Sequence, residues 1–278
     1  MMKFVSINPD ITLAYEEYGS GDRYVLSAQV GFAPHGMQQM LAQMGYHVYC
    51  ITLRGFAPST LLREDYGENW YDIFADDVAA FADKMGIGQF DYMGASHGAG
   101  VGWHLTLRHP DRVQAFIAVV AGPHSLDAGT LSYRQMVLQG LIASPPPMDP
   151  PIDNDDARVR RRQARSEWLS AKPEPDPLEK AVDYRRPLLR LGSEENLKAA
   201  LRTIQTPTLL IGGVDDPIST PELLIRTAKC LPHCKLVLYA NCGHNVDTDL
   251  IEETCGEADR FIRTAHENGK WYAAVMEP

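Results

Sequence analysis

The residue with the clearest capacity for chemistry is Ser96, which lies in the run Gly-Ala-Ser-His-Gly at 94–98. Residues 90–93 have the apolar character of a strand, and a helical stretch follows the serine. A serine at a sharp turn from strand to helix is the arrangement of a nucleophile elbow. Gly94 and Gly98 suit such a turn, because a Cβ at either position would clash where strand and helix pass closely. The turn also brings the hydroxyl to a helix N-terminus, where N–H groups can bind an oxyanion.

A serine hydroxyl alone is a weak nucleophile, so this chemistry needs three further components. A histidine within hydrogen-bond reach takes the hydroxyl proton as attack occurs, and a carboxylate holds the imidazole in the right tautomer. A pair of N–H donors then stabilises the charge that develops on the substrate oxygen. The rest of the chain must supply a base, an acid and an oxyanion site.

Strands that alternate with helices are predicted on both sides of this turn. Two short β-like runs predict a hairpin at the start, and six further apolar runs predict buried strands. The predicted strands are residues 4–7, 11–15, 24–30, 46–51, 90–93, 115–120, 208–212 and 235–239. Helical periodicity between most of the later strands indicates parallel strands joined by crossover helices. The fold class is therefore α/β, with a mostly parallel sheet flanked by helices.

The stretch of residues 124–203 interrupts this alternation, because it contains no convincing strand. A proline-rich break at 144–151 separates the first two of its four predicted helices. Those helices are expected near residues 131–143, 155–170, 176–190 and 193–203. We therefore predict a helical cap over 124–203, inserted into a core made of residues 1–123 and 204–278.

Composition and charge limit the classes of partner. The chain of 278 residues is 45% hydrophobic and 22% charged, which is typical of a globular protein. Its net charge of −10 argues against a nucleic-acid binder and against a surface that seeks anionic membranes. Five cysteines without a CxxC pair favour a reducing compartment. Since no signal core or membrane-spanning apolar run occurs, we expect a cytoplasmic protein, and the oligomeric state stays open.

Several segments outside the elbow resemble the α/β-hydrolase family. Residues 52–59 are similar to the loop after that family's fourth strand, and residues 109–113 to the segment before its sixth strand. Residues 207–217 are similar to the strand and loop that carry the acid, and residues 241–245 to the loop that carries the histidine. The resemblance covers roughly residues 10–122 and 204–265, and it keeps the family order of serine, acid and histidine. It implies an eight-stranded sheet, a serine nucleophile and a helical cap.

The resemblance also implies which residues complete a catalytic triad with Ser96. His244 follows a glycine and the last predicted strand, as the family histidine does. Two neighbouring carboxylates, Asp215 and Asp216, are candidates for the acid. The family spacing, counted from Gly213, favours Asp216, and Asp215 stays the alternative.

The oxyanion hole implied by the resemblance consists of the backbone N–H groups of Phe32 and His97. Phe32 follows the predicted strand that ends at Val30, where most family members have a His-Gly pair and this chain has Val30-Gly31. The side chain of His97 is expected to point away from the serine, so that its backbone is the part that contributes. Thr52 stands where an aspartate is more usual, and we interpret this difference as structural.

Two other clusters of residues could suggest a phosphate or nucleic-acid site and a zinc site. Five arginines between residues 158 and 165 resemble a phosphate or nucleic-acid patch, but the acidic residues around them favour a solvated helix with paired charges. Contact between one of these arginines and an acidic substrate stays open. Cysteines and histidines in residues 230–244 fit zinc spacing poorly, and no G-x-G-x-x-G follows the first strand of the alternating set. We predict neither a metal nor a cofactor.

Together these features predict a serine hydrolase that cleaves a small-molecule carboxylic ester or lactone through an acyl-enzyme. A serine at the elbow argues against the epoxide hydrolases and haloalkane dehalogenases of the family, whose aspartate forms an alkyl-ester intermediate. Carbon–carbon bond hydrolysis and thioester hydrolysis on the same triad are alternatives. A receptor-like member that binds a ligand with little turnover is another, because the fold alone does not settle function.

Overall fold

One sheet of eight strands forms the centre of the computed structural model, which describes residues 1–30, 36–126, 133–144, 147–152, 156–182 and 184–268. The strands are β1 (Lys3–Ser6), β2 (Thr12–Tyr18), β3 (Tyr24–Gln29), β4 (His47–Thr52), β5 (Phe90–Ala95), β6 (Val113–Val119), β7 (Thr208–Gly213) and β8 (Cys234–Tyr239). Each of the eight predicted strands overlaps one of them. Their spatial order is β1-β2-β4-β3-β5-β6-β7-β8. β1 and β2 pair antiparallel, as do β2 and β4, and β3 to β8 run parallel to one another. The predicted α/β class with a mostly parallel eight-stranded sheet is confirmed.

Helices cover both faces of this sheet. The helices are α1 (Gly36–Gln43), α2 (Trp70–Lys84), α3 (His97–Arg108), α4 (Tyr133–Leu138), α5 (Asp156–Ala171), α6 (Pro177–Ala181), α7 (Glu194–Thr203), α8 (Pro221–Cys230), α9 (Val246–Asp249) and α10 (Ile251–Asn268). Short 3-10 turns lie at Gly67–Asn69 and Leu189–Leu191. Within the described ranges, none of these helices is both long and apolar enough to cross a bilayer.

Two hydrophobic clusters occupy the two faces. Phe116 and Ile117 are neighbours in β6 but belong to different clusters, since successive side chains of a strand point to opposite faces. Side chains of α2, α3 and α8 fill one cluster, and side chains of α1 and α10 fill the other. A strand that is covered on both faces must be apolar throughout, and every residue of β7 is buried.

The segment between β6 and β7 contains α4 to α7 and, in its described part, no strand. α5 and α7 agree with the predicted helices near 155–170 and 193–203. α6 is much shorter than the predicted stretch of 176–190. It ends at Ala181, where Val182 already has an extended backbone with a ψ of 109°, and Pro187 further along the chain could not donate to a helical ladder.

The parallel strands place the candidate residues at one edge of the sheet. Ser96 follows β5, Asp216 follows β7 and His244 follows β8, so all three lie beyond the carboxyl ends of parallel strands. Open parallel sheets bind their ligands at this edge.

Candidate active site

Ser96 occupies a backbone conformation that few residues other than glycine adopt. Its φ is 49° and its ψ is −116°, and α3 begins at the next residue. Such a conformation costs about 1–3 kcal/mol, so neighbouring contacts must hold it. The Ser96 N–H donates to the Val119 carbonyl at 2.9 Å, and the Ser96 carbonyl accepts from the Gly100 N–H at 3.0 Å. These bonds join the turn to the end of β6 and to the first turn of α3.

The two glycines of the elbow are required by close approach. A Cβ on Gly94 would lie 2.4 Å from the carbonyl carbon of Gly98. A Cβ on Gly98 would lie 2.4 Å from the carbonyl oxygen of Ala28 in β3. Because backbone atoms cannot yield as a side chain can, the sheet and α3 fit together only with glycine at both positions. The steric role expected for these glycines is therefore confirmed.

The structure brings Ser96, His244 and Asp216 together in a hydrogen-bonded line. The distance from Ser96 Oγ to His244 Nε2 is 3.0 Å. His244 Nδ1 lies 2.9 Å from Asp216 Oδ2 and 3.1 Å from Oδ1. The Asp216 side chain is fully buried, whereas the His244 side chain is 13% exposed. The alternative acid, Asp215, is exposed to solvent, and its backbone N–H donates to the Cys242 carbonyl.

Backbone donors fix the Asp216 carboxylate in place. Its Oδ1 accepts from the N–H of Ile218 at 2.7 Å and from the N–H of Ser219 at 2.9 Å. A buried carboxylate oxygen needs such partners, and here they also set the plane of the group relative to the imidazole. Asp216 therefore reaches His244 in a defined orientation.

The loop that carries His244 is held by residues 148 and 149 of the inserted segment. The His244 N–H donates to the Met148 carbonyl at 2.8 Å. The Asn245 N–H donates to Asp149 Oδ1 at 3.0 Å, and the Asn245 side-chain amide donates to Asp149 Oδ2. A Cβ on Gly243 would lie 2.0 Å from the Met148 carbonyl oxygen, so this packing requires glycine. Nothing in the sequence around 148 indicated this contact.

The arginines of α5 form ion pairs with carboxylates of α9 and α10. Asp249, whose side chain is fully buried, accepts from Arg158 Nη2 at 2.8 Å and from Arg162 Nε at 2.9 Å. Arg161 pairs with Glu252 at 2.6 Å. Burial raises the pKa of the Asp249 carboxyl, but the hydrogen bonds from Arg162 and Arg158 outweigh it and hold that pKa below its ordinary value. The expected pairing of charges is confirmed, but these partners lie about eighty to ninety residues away along the chain, and the side chains of Arg158 and Arg162 are only 11% and 25% exposed. The expectation of a solvated helix that pairs with its acidic neighbours was therefore wrong for these arginines.

Of the two predicted oxyanion donors, His97 is among the residues that the structure describes and Phe32 is not. His97 is the first residue of α3, so its backbone N–H lies beside Ser96 at the helix N-terminus. Its ring contacts core aromatic residues: Nδ1 lies 2.7 Å from the Tyr71 hydroxyl, and the ring centroid lies 4.7 Å from that of Tyr184. Phe32 lies outside the described residues.

Two cavities meet at Ser96 and His244. One, of about 620 Å³, lies between α1, α5 and α9, and its lining includes Met37, Trp168 and Ile251. The other has a volume of about 610 Å³, and we call it the Arg186 cavity. Its lining is Ser96, His97, Gly100, Trp103, Val120, Ala121, Gly122, Pro123, His124, Tyr133, Met136, Met148, Arg186, Pro187, Pro217, Ile218, Ser219 and His244. Cavities of this size suit small organic molecules.

Metal ligands do not cluster in the part of the chain that the structure describes, where no three His, Cys, Asp or Glu side chains are arranged around a common point. All five cysteines are present as thiols, and four of them are buried. Burial raises the pKa of Cys242 to about 12, so this thiol beside the histidine loop stays protonated near neutral pH.

Comparison with known proteins gives one family match and several distant relatives. The chain is 27% identical over 198 residues to 2-hydroxymuconate semialdehyde hydrolase of Pseudomonas putida, and the alignment covers 66% of each protein. It is 21% identical over 290 residues to bifunctional epoxide hydrolase 2 of Sus scrofa, which covers 88% of this chain. The chain spans about half the length of the latter relative, at 52%.

A solved esterase from Thermogutta terrifontis has the same fold at low identity. The TM-score is 0.70 with 20% identity, and the superposition covers 96% of this chain and 99% of the esterase. Residues 29–246 match the family model described as alpha/beta hydrolase fold. Since that match runs from the end of β3 to the start of α9 and includes most of the chain, the protein belongs to the alpha/beta hydrolase fold family.

Proposed function

We propose that the protein is a serine hydrolase that cleaves a carboxylic ester or lactone through an acyl-enzyme. The observation that carries this proposal is the line of hydrogen bonds from Asp216 through His244 to Ser96 Oγ, at 2.9 and 3.0 Å. A serine in this arrangement has a base for its proton, and the base has a carboxylate that orients it. Binding alone would not need all three groups.

In the first half of the proposed reaction, Ser96 Oγ attacks the substrate carbonyl carbon while His244 Nε2 takes the hydroxyl proton. The carbonyl oxygen becomes an oxyanion, which the N–H groups of His97 and Phe32 stabilise. Asp216 stabilises the imidazolium that forms. The intermediate then collapses, the bond to the leaving oxygen breaks, and His244 gives its proton to that oxygen.

The second half hydrolyses the acyl-enzyme. A water molecule attacks the acyl carbon while His244 Nε2 takes one of its protons. The bond between Ser96 Oγ and the acyl group then breaks, and the proton returns from His244 to the serine. The products are a carboxylic acid and an alcohol, and in a lactone these are two ends of one molecule. No cofactor or metal takes part in these steps.

In this proposal residues 124–203 act as a cap over the core formed by residues 1–123 and 204–278. Trp168 of α5 lines the cavity on one side of Ser96, and Met136 of α4 lines the cavity on the other. A substrate with its carbonyl at Ser96 places one part in each cavity, so residues of the cap determine what fits.

A second candidate comes from the similarity to 2-hydroxymuconate semialdehyde hydrolase. Hydrolysis of that semialdehyde would use the same three residues. The similarity to bifunctional epoxide hydrolase 2 does not favour epoxide opening, because this chain has Ser96 where the epoxide hydrolases of the fold carry an aspartate.

The proposal is tested by hydrolysis of p-nitrophenyl acetate and butyrate by the wild type and by Ser96→Ala. We expect kcat/KM to fall by at least about 10³-fold in the variant, since the nucleophile is absent. Ser20→Ala, which changes an exposed serine between β2 and β3, is the matched control and should keep wild-type activity. Equal rates for wild type and Ser96→Ala would refute the role of Ser96, and hydrolysis of 2-hydroxymuconate semialdehyde but of no ester would favour the second candidate.

A further inference from the structure

His124 lines the Arg186 cavity at the edge of the sheet where the proposed triad is assembled. It follows β6, which lies between β5 and β7, and the ends of those two strands carry Ser96 and Asp216. Ser96 and His244 line the same cavity. A substrate with its carbonyl at Ser96 and one part in this cavity therefore shares one space with the His124 ring.

The chain immediately before His124 is tied to the core and to the loop after β7. The Gly122 N–H donates to the hydroxyl oxygen of Ser219 in that loop at 2.7 Å. Trp103 Nε1 donates to the Ala121 carbonyl at 2.8 Å. These bonds limit the movement of the backbone that carries the ring, as a group that positions a substrate requires.

The ring of His124 forms no hydrogen bond, ion pair or ring contact with any residue that the structure describes. His104, by contrast, has a partner at each nitrogen: Nδ1 lies 2.7 Å from Asp72 Oδ1, and Nε2 accepts from the Leu188 N–H at 3.0 Å. Polar groups that folding removes from bulk water are nearly always hydrogen-bonded. The partners of the His124 nitrogens must therefore come from the contents of the cavity, which are water in the free protein and substrate in the complex.

His124 is uncharged near neutral pH. Burial, with the positive charge of Arg186 as the next cause, lowers the pKa of His124 to about 4. A neutral imidazole has one N–H donor and one nitrogen acceptor, so it recognises a group through hydrogen bonds. A pKa shifted by burial and nearby charge, on a residue that lines a cavity, is typical of a functional site.

We propose that the part of the substrate in the Arg186 cavity carries a hydroxyl group that hydrogen-bonds to the imidazole of His124 while the scissile carbonyl lies at Ser96. A hydroxyl both donates and accepts, so it pairs with either ring nitrogen in either tautomer. The lining also includes Trp103 and Met136, so the hydroxyl is attached to a hydrocarbon or aryl segment. This inference rests on the proposed ester or lactone hydrolysis and adds the substrate class, a hydroxylated ester or lactone.

The test compares two pairs of esters, because either the acyl part or the leaving part can occupy this cavity. Within each pair a methyl group replaces the hydroxyl, so the size of the ester is nearly unchanged. The acyl pair is p-nitrophenyl 3-hydroxybutyrate and p-nitrophenyl 3-methylbutyrate. The leaving-group pair is 3-hydroxyphenyl acetate and 3-tolyl acetate. For each pair, the ratio of kcat/KM for the hydroxyl ester to that for the methyl ester is measured in wild type and in His124→Leu.

We expect this ratio to fall by about 5- to 100-fold in His124→Leu for at least one of the two pairs, the range for a buried hydroxyl that loses its partner. The methyl esters should change by less than about threefold, because they make no hydrogen bond to His124. Equal losses for hydroxyl and methyl esters, or unchanged ratios in both pairs, would overturn the proposal.

Two further variants separate the hydrogen bond from packing. His124→Gln, whose amide offers a donor and an acceptor, should give a ratio closer to that of wild type than His124→Leu does. His124→Phe serves as the apolar variant if His124→Leu does not fold. His109→Leu is the matched control and should leave both ratios unchanged, because His109 lies at the end of α3 away from the elbow and contacts Asp76 at 2.8 Å.

If the wild type hydrolyses none of these esters, the proposed function fails, and the hydroxyl site is then read by binding alone. The uncharged probes are resorcinol with m-cresol, and 3-hydroxybutyramide with 3-methylbutyramide. In at least one pair, titration followed by NMR should show that the affinity for the hydroxyl probe relative to the methyl probe falls at least about fivefold in His124→Leu. The same relative affinity in both proteins, or no binding of any probe to the wild type, would overturn the hydroxyl site itself.

Discussion

Replacing Asp249 by alanine should destabilise the folded protein by about 3 kcal/mol, although Asp249 is not part of the proposed triad. Its side chain is fully buried and accepts hydrogen bonds from Arg158 and Arg162 of α5. The variant leaves both guanidinium groups near the protein interior without this carboxylate. The loss therefore weakens the contact between the inserted segment and the helices that follow His244.

The magnitude follows from burial. Removal of one partner from a buried ion pair costs about 3–5 kcal/mol, because a buried charge is left without compensation. The side chains of Arg158 and Arg162 are 11% and 25% exposed, so water screens part of that cost and places the effect at the lower end. The matched control is Glu252→Ala. Glu252 pairs with Arg161 at 2.6 Å but is 55% exposed, and such a pair contributes less than about 1 kcal/mol.

Urea unfolding of the three proteins, followed by circular dichroism, measures the difference in free energy of unfolding. A loss of less than about 1 kcal/mol in Asp249→Ala, or of no more than in Glu252→Ala, would show that burial does not govern the strength of the pair. The pH dependence gives a second check. The pKa of Asp249 lies below its ordinary value in the folded state, so its contribution is present above the unfolded pKa and is lost as the pH falls through the folded pKa. The difference between wild type and Asp249→Ala should therefore shrink in acid.

Three further predictions concern single side chains. Asp216→Asn should lower kcat by about 10³- to 10⁴-fold, because the imidazole of His244 loses its orienting carboxylate. Asp215→Ala should leave kcat nearly unchanged, and similar losses of kcat in both variants would contradict the assignment of Asp216. Asp149→Ala removes the contacts to Asn245 and should lower kcat about tenfold with little change in KM, so a rise in KM alone would show that Asp149 does not position the histidine loop. Burial lowers the pKa of His104 in the folded protein, so the free energy of unfolding should fall as the pH drops below about 6.5, the pKa of histidine in the unfolded chain. His104→Gln should flatten this dependence of the free energy of unfolding on pH, and an unchanged dependence would show that His104 does not cause it.

The sheet was predictable because its signal is local. Each strand is a short apolar run between turn formers, and the elbow is specified by two glycines that the close approach of backbone atoms requires. The choice between Asp215 and Asp216 came instead from the resemblance to the α/β-hydrolase family, whose spacing between glycine and acid was applied to this chain. The spacing from Gly213 favoured Asp216, and the structure places its carboxylate beside His244. The catalytic roles of these residues stay predictions.

The contacts that hold the site were not predictable, because they join distant parts of the chain. Asp149 lies 96 residues before Asn245, and Arg162 lies 87 residues before Asp249. Neither spacing follows from a helical or strand period, and both contacts depend on how the inserted segment packs on the core. The position of Arg186 in a cavity with Ser96 was not predictable either, because it depends on tertiary structure.

Formation of an acyl-enzyme on Ser96 is tested by mapping the site of acylation. Wild-type protein is mixed with p-nitrophenyl acetate, quenched in acid before the steady state, digested and mapped by peptide mass spectrometry. We expect an acetyl group on Ser96, and no acetyl group on the corresponding peptide of Ser96→Ala. An acetyl group on another residue, together with wild-type turnover by Ser96→Ala, would contradict it.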